Sequence, residues 1–382
     1  MSDTSRRNFL LTGLALPVAL ESTTGFNLMA QQPKTSIKLT YRNLGKTGLK
    51  PTSVGFGCMI TSDQSVVERA ADLGINYFDT ARGYGGGNNE RMVGAALKSK
   101  KRTDLIISTK TMAKTKEEAL QHIDTSLQEL GTDYVDIWHL HLKNKPEDLT
   151  DGLLEAQQIA KQAGKTRFLG VSTHSFPQLL PGLLAKAPHF DVVLSMYNFT
   201  MGPELTAAFE SAAKAGMGTI AMKIMAGGAG MGRGKPNPIM QREGAMLAAL
   251  KWVLKNPNVH TTIPSMTDMD QLDENMKAFS DTFSSADEKI LTAHLETIRP
   301  LYCRTCGACT GKCSQDIPVA DVLRYLSYSE GYGEFQLARE NYLSLPSEIK
   351  NARCANCETC SIQCPNGVQV AQRLSRAQEL FA

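Results

Sequence analysis

From Ser53 to Pro264 the chain alternates two textures. Short runs of apolar and β-branched residues, bounded by glycine or polar residues, give way to longer segments whose apolar residues recur every three or four positions. The short runs read as strands: SVGFGC (53–58), INYFD (75–79), LIIST (105–109), YVDIWHLH (134–141), FLGVS (168–172), VVLSM (192–196), GTIAM (218–222) and HTTIP (260–264). The segments between them predict amphipathic helices. In TKEEALQHIDTSLQELG, for example, Leu120, Ile123, Leu127 and Leu130 share one face. Gly74, Gly131, Gly164 and Gly216 stand where such helices should stop.

Eight strands alternating with helices predict an α/β fold of parallel strands closed into a (β/α)8 TIM barrel. The competing plan, an open dinucleotide-binding sheet, wants G-x-G-x-x-G directly after the first strand. GFGCM at 55–59 lacks the third glycine, and GGAGMGRG at 227–234 follows the seventh strand with the wrong spacing.

Composition narrows the classes. With 382 residues, 42% hydrophobic and 21% charged, the chain has length for two or three domains and a real core. The net charge is +3 without long Lys/Arg blocks, which argues against a nucleic-acid partner. No apolar stretch of spanning length follows the N-terminus, so a membrane enters only during export. That export is predicted by SRRNFLLTGLALPVAL, where Arg6 and Arg7 precede a short apolar run: a twin-arginine signal, with Ala30 as a cleavage edge. Residues 1–35 are therefore set apart as signal peptide and linker, and the exported compartment, such as a periplasm, is the expected location.

In a barrel of this kind chemistry collects at the C-terminal ends of the strands, where the following loops converge. Asp79, Lys110, His141 and Ser172 close strands two to five at equal steps of 31 residues. Tyr84 follows Asp79 in the loop TARGYGGG. A phenol beside an ammonium is a tunable proton donor, since the ammonium favours the phenolate. Asp79 can hold Lys110 charged, and His141 can orient a carbonyl oxygen. No Ser or Cys nucleophile sits in an elbow, so the missing reactant would be a hydride from a nicotinamide. On residues alone, Asp79 and Lys110 also read as a structural ion pair, and His139 with His141 as half of a metal site lacking its other ligands.

YRNLGKTGLKPTSVGFG, NYFDTARGYG, LIISTK, VDIWHLH, GKTRFLGVSTHS and TIPSMTDMDQLDEN, in order from Tyr41 to Phe279, resemble the aldo-keto reductases. The resemblance implies a barrel domain over 36–299 that interconverts carbonyl and alcohol groups with NADP(H) or NAD(H). Tyr84 would be the general acid/base, Lys110 and Asp79 its tuning pair, and His141 the orienting residue. The cofactor would lie extended across the barrel mouth, against Ser172, Thr173, Met222, Lys223, Ser265, Gln271 and Asn275. Several of these depart from the family pattern. Thr173 stands where asparagine is usual and Met222 where an aromatic residue stacks on nicotinamide. Leu194 replaces the glutamine of strand six, and Ser265 and Gln271 replace basic residues that hold a 2′-phosphate. The choice between NADP(H) and NAD(H) is thus open, with Arg233 and Lys235 as candidates to supply the missing charge.

Beyond Pro300 the texture changes again. CRTCGACTGKC (303–313) and CANCETCSIQC (354–364) both read C-x2-C-x2-C-x3-C. Four thiols so crowded suit a four-iron cluster, whereas zinc prefers two separated pairs and disulfide frameworks do not favour twin tight runs. Residues 300–382 are read as a small, mainly helical domain holding two 4Fe–4S clusters. By the crossed ligation of two-cluster ferredoxins, Cys303, Cys306, Cys309 and Cys364 would hold one cluster, and Cys313, Cys354, Cys357 and Cys360 the other. The spacer PVADVLRYLSYSEGYGEFQLARENYLSL looks helical, with Val319, Leu323 and Leu326 on one side, and the whole resembles helical two-cluster ferredoxin modules. Cys58 is expected to be a buried strand residue. The twin-arginine route carries folded proteins, which fits clusters assembled before export. The leading expectation is an exported oxidoreductase acting on a small carbonyl or alcohol, with the clusters serving stability, electron transfer or a redox partner protein. The alternative is an electron-transfer or partner-docking protein with a silent barrel.

Overall fold

The computed structural model describes residues 37–227 and 242–382. The signal read at 1–35, and Arg233 and Lys235, lie outside the described residues. Every expected strand is present: β1 (Phe56–Gly57), β2 (Tyr77–Asp79), β3 (Ile106–Thr111), β4 (Val135–Leu140), β5 (Thr166–Thr173), β6 (Val192–Met196), β7 (Gly218–Met222) and β8 (Thr261–Thr262). They pair in parallel in chain order. Between β8 and β1 a parallel bridge joins Val54 to Thr262, and the Gly55 amide donates to the Thr262 carbonyl at 2.8 Å, so the sheet curls back on itself. The Gly57 amide donates to the Pro264 carbonyl at 2.9 Å and the Thr262 amide to the Ser53 carbonyl at 3.1 Å, extending this seam, although β1 and β8 themselves are each only two residues long.

Around the strands stand α1 (Gln64–Asp72), α2 (Asn88–Leu97), α3 (Lys116–Leu130), α4 (Asp151–Gln162), α5 (Phe176–Ala185), α6 (Pro203–Lys214), α7 (Ala245–Leu254), α8 (Met269–Met276) and α9 (Ser285–Ile298). The reasons are local. In α3 the Thr115 hydroxyl accepts from the Glu118 amide at 3.2 Å, capping the first turn, and Gly131 ends the helix at φ +63°. Ile123 and Leu130 are buried on its inner face, with Leu120 and Leu127 packed at the margin. Gly74, Gly164 and Gly216 likewise end their helices at positive φ. The layer between helices and sheet forms the main core, while Leu44 and Leu49 pack with Tyr77, Ile106, Ile137 and Ile220 in a separate cluster.

The C-terminal segment folds into α10 (Val319–Glu330), α11 (Phe335–Leu343), α12 (Ser347–Asn351) and α13 (Val370–Phe381). It has its own core, in which Val319, Leu323 and Leu326 meet Tyr342, Leu374 and Phe381. The spacer expected to be helical forms two helices, α10 and α11. The chain turns between Gly331 and Gly333, and Gly333 takes φ +69°. Residues 37–382 nonetheless form one compact unit. Among the described residues no helix is long and apolar enough to cross a membrane.

Candidate active site

Asp79, Lys110 and His141 from three strand ends converge with Tyr84 from the loop after β2. Asp79 ends β2 and Lys110 lies in the last turn of β3, both under 3% exposed. Lys110 Nζ donates to Asp79 Oδ2 at 2.5 Å and to the Thr80 carbonyl at 2.7 Å. Ser108 Oγ donates to the other Asp79 oxygen at 2.5 Å, so the carboxylate is held on both sides. Tyr84 reaches over this pair, its Oη 3.4 Å from Lys110 Nζ and its ring 4.9 Å from the same ammonium. His141 follows β4 and meets the Tyr84 ring edge-to-face with centroids 5.9 Å apart. Its own amide donates to the Thr111 carbonyl at 2.8 Å.

The Tyr84 loop is fixed by residues beyond the strand ends. Gly85, Gly86 and Gly87 all take positive φ, a left-handed run that turns the chain straight into α2. Arg82 pairs with buried Glu90, and Glu90 also accepts from Thr109 Oγ1 at 2.6 Å, tying the loop to the strand that carries Lys110.

Burial decides the protonation states. It raises the Tyr84 phenol to about 12, against the pull of the Lys110 charge, so the phenol keeps its proton at neutral pH. Lys110 does pull the phenol down, as the sequence reading expects, but desolvation outweighs one ammonium and the phenol ends above its ordinary value. His141 is held well below its ordinary value, first by burial and then by Lys110, and is neutral. Burial alone would lower Lys110, but Asp79 and Tyr84 together lift it, so it stays charged. The result is a protonated phenol beside a neutral imidazole and a fixed cation: an arrangement that can donate a proton to a carbonyl oxygen.

Tyr84 and His141 line a cavity of about 130 Å³ at the barrel mouth. Met222, Lys223 and Ser265 line it too. Asn275 is buried with neither amide atom partnered. The other cofactor candidates are engaged within the protein. Ser172 Oγ accepts from the Leu142 amide at 3.1 Å, Thr173 Oγ1 contacts Asn144 Oδ1 at 3.3 Å, and the Gln271 side chain bonds Thr267 and Asp268 at the head of α8. Leu194 is buried in a cluster with Ile220 and Tyr77, two residues short of the end of β6. The cavity has walls that sequence reasoning did not find: His174 after β5, and Tyr328, Tyr332 and Asn341 from α10, the turn after it and α11. The C-terminal helices thus roof the mouth. The available signal was Tyr328 and Tyr332 four residues apart on a segment otherwise read only as a spacer.

All nine cysteines are unpaired, and Cys58 is fully buried just beyond β1. The other eight fall into two neighbourhoods. Cys303 feels the charges of Cys309, Cys306 and Cys364, and Cys354 those of Cys313, Cys357 and Cys360. The Thr305 amide donates to Cys303 Sγ and the Asn366 amide to Cys306 Sγ, each at 3.4 Å. Among the described residues no three His, Cys, Asp or Glu side chains are grouped so as to hold a metal ion, neither around His139 and His141 nor among the eight C-terminal cysteines.

Fold and site together define a (β/α)8-barrel oxidoreductase. The sequence model of the aldo/keto reductase family matches residues 60–247 and 240–296, and the chain belongs to that family. L-galactose dehydrogenase of Arabidopsis thaliana is 29% identical over 307 residues, covering 68% of this chain and 94% of the plant protein. L-glyceraldehyde 3-phosphate reductase of Escherichia coli is 25% identical over 325 residues, covering 68% and 93%. An aldo-keto reductase of Bacillus halodurans in its holo form superposes with a TM-score of 0.57 at 24% identity, over 67% of this chain and 96% of that one. The family match ends before Cys303.

Proposed function

We propose that the protein interconverts a carbonyl and an alcohol with NADP(H) or NAD(H), and that Tyr84 is the general acid/base. The observation that carries this is the phenol of Tyr84 at 3.4 Å from Lys110 Nζ, facing the same cavity as His141. The residues present fit a nicotinamide cofactor at the mouth: Met222 and Ser265 line the cavity, and the Asn275 amide has unused donors and acceptors. When bound, the nicotinamide supplies or accepts the hydride. His141, neutral, positions the carbonyl oxygen beside Tyr84. Tyr84 then delivers its proton to that oxygen, and the Lys110 ammonium stabilises the phenolate left behind. Asp79 keeps Lys110 charged and aimed. The roof of Tyr328 and Tyr332 excludes water from the reacting atoms.

The eight C-terminal cysteines fit two 4Fe–4S clusters, one held by Cys303, Cys306, Cys309 and Cys364 and one by Cys313, Cys354, Cys357 and Cys360. Their grouping supports this, as do the amides aimed at two of the sulfurs. Corner ligands of a four-iron cube need not converge on one point. Such clusters supply one-electron storage or fasten the C-terminal core. Export through the twin-arginine route belongs to the same reading, since it moves a protein already folded around its cofactors.

Tyr84→Phe tests the catalytic assignment. With NADPH and a panel of aromatic aldehydes, kcat/KM is expected to fall about 10²–10⁴-fold, with NADPH affinity by fluorescence titration unchanged. Equal turnover by the variant would remove Tyr84 from the chemistry.

A further inference from the structure

Lys223 stands at the cavity with its charge unopposed. It follows β7 in a left-handed conformation, φ +56°, that a lysine rarely adopts. The Asn198 side-chain amide pins its carbonyl at 2.9 Å, and the Ala226 amide bonds the same oxygen at 3.1 Å. That strained backbone delivers the side chain to the cavity, with Nζ 4.7 Å from the Tyr328 ring and 4.8 Å from the Tyr332 ring. Among the described residues no carboxylate reaches the ammonium; besides burial it feels the charge of Arg324, which has its own partner in Asp321 at 2.9 Å.

His174 lines the same cavity. It is 6% exposed, and neither of its ring nitrogens has a partner. Burial first, and then the charges of Arg324 and Lys223, hold its imidazole well below the ordinary value. A buried polar ring without a partner and a cation without a counter-ion are each costly. Here they share one cavity with a proton-donating phenol. Burial and Arg324 lower the Lys223 ammonium to about 7, so an arriving anion would also restore its charge.

We propose that Lys223 and His174 form an anion subsite that receives the carboxylate of the substrate, making the preferred substrates carbonyl compounds that bear a carboxylate on an apolar body. The identification rests on the carbonyl-reducing reading of this site. The number of donors and the surroundings select the anion. Among the described residues the cavity offers one cation without a carboxylate partner, and Met59, Ile60, Met112, Met225 and Met246 give it a mostly apolar body, with Ser265 and Asn341 as further polar side chains. A phosphate dianion would want more donors than these.

Calorimetric titration of the full chain, purified anaerobically, with benzoate and with its neutral isostere benzamide tests this without requiring turnover. Benzoate is expected to bind at least about tenfold more tightly, which is the scale of one desolvated charged hydrogen bond. Lys223→Met should bring the two within about twofold while leaving the melting temperature near that of the parent. Tyr84→Phe should keep the preference, so failure of the catalytic assignment and failure of the subsite are separate results. Equal binding of the two probes by the parent overturns the proposal whatever the variant does. So does a preference that survives Lys223→Met. If Lys223→Met instead weakens NADPH binding about tenfold and spares the benzoate preference, the anion is the cofactor's pyrophosphate and the substrate assignment is wrong.

Discussion

Lys110 is asked to do two things that conflict. It must stay charged at 1% exposure, and it must influence a phenol 3.4 Å away. Asp79 resolves the first demand at 2.5 Å, but it also cancels much of the field that would otherwise acidify Tyr84. With the charge of Lys110 largely answered, burial governs the phenol and lifts it to about 12. The sign for catalysis follows. A raised pKa favours the protonated form, so the reduction direction always finds its proton in place. The reduction kcat is expected to stay level from about pH 6 to 9, whereas the oxidation rate, which needs the phenolate, should climb about tenfold per unit over the same range. Initial rates in both directions across that range check it. A reduction rate falling tenfold per unit through neutrality would mean that Lys110 outweighs burial. That Asp79, Lys110 and His141 gather at one mouth was legible, since equal spacing of strand-end residues is a property of the chain alone. The balance between ammonium and desolvation is not, because it depends on what covers the mouth.

What covers the mouth is decided by helices that a sequence pattern describes poorly. The strands were legible because eight apolar runs share one bounded length, and the barrel followed from their alternation with helices. The spacer's helical character was legible, and the break between α10 and α11 falls at Gly331 and Gly333. Gly331 has a second role that no periodicity announces. A Cβ there would lie well inside van der Waals contact with the Gly227 carbonyl of the barrel. The end of α10 can therefore seat against that carbonyl only because residue 331 is glycine, and Tyr328 and Tyr332 reach the cavity from that seat. Gly331→Val is expected to cost about 1–3 kcal/mol by overpacking, seen as a lower melting temperature. It should also raise the KM for aldehydes as the tyrosine roof shifts. A variant that melts and turns over like the parent would show that α10 docks without this contact.

At the scale of the whole chain the question is how a barrel and a cysteine-rich segment become one unit. Thr305, between the first two cysteines of its run, donates to the His174 carbonyl at 3.1 Å, and the Tyr302 hydroxyl accepts from Asn198, the residue that also pins Lys223. The first thiol group therefore abuts the loops that build the cavity. Within the segment, the separation of the two cysteine runs along the chain hides their union in space. The spacing rule nevertheless assigns Cys364 to the distant run, and that is the neighbourhood in which it lies. Crossed ligation has a consequence that sequential ligation lacks. Cys364→Ser and Cys306→Ser should each remove about half of the iron, and the double variant Cys306→Ser/Cys364→Ser should lose no more than either alone. Cys364→Ser/Cys357→Ser, which strikes both sets, should lose nearly all of it. Iron and sulfide content of anaerobically purified protein reads this directly, with the electron paramagnetic resonance of the reduced protein reporting which cluster survives. Were Cys364→Ser instead additive with Cys306→Ser and silent in combination with Cys357→Ser, each run would hold its own cluster. The two runs would then have no ligand in common, and the union of the segment would rest on its apolar core of Leu326, Leu374 and Phe381 alone.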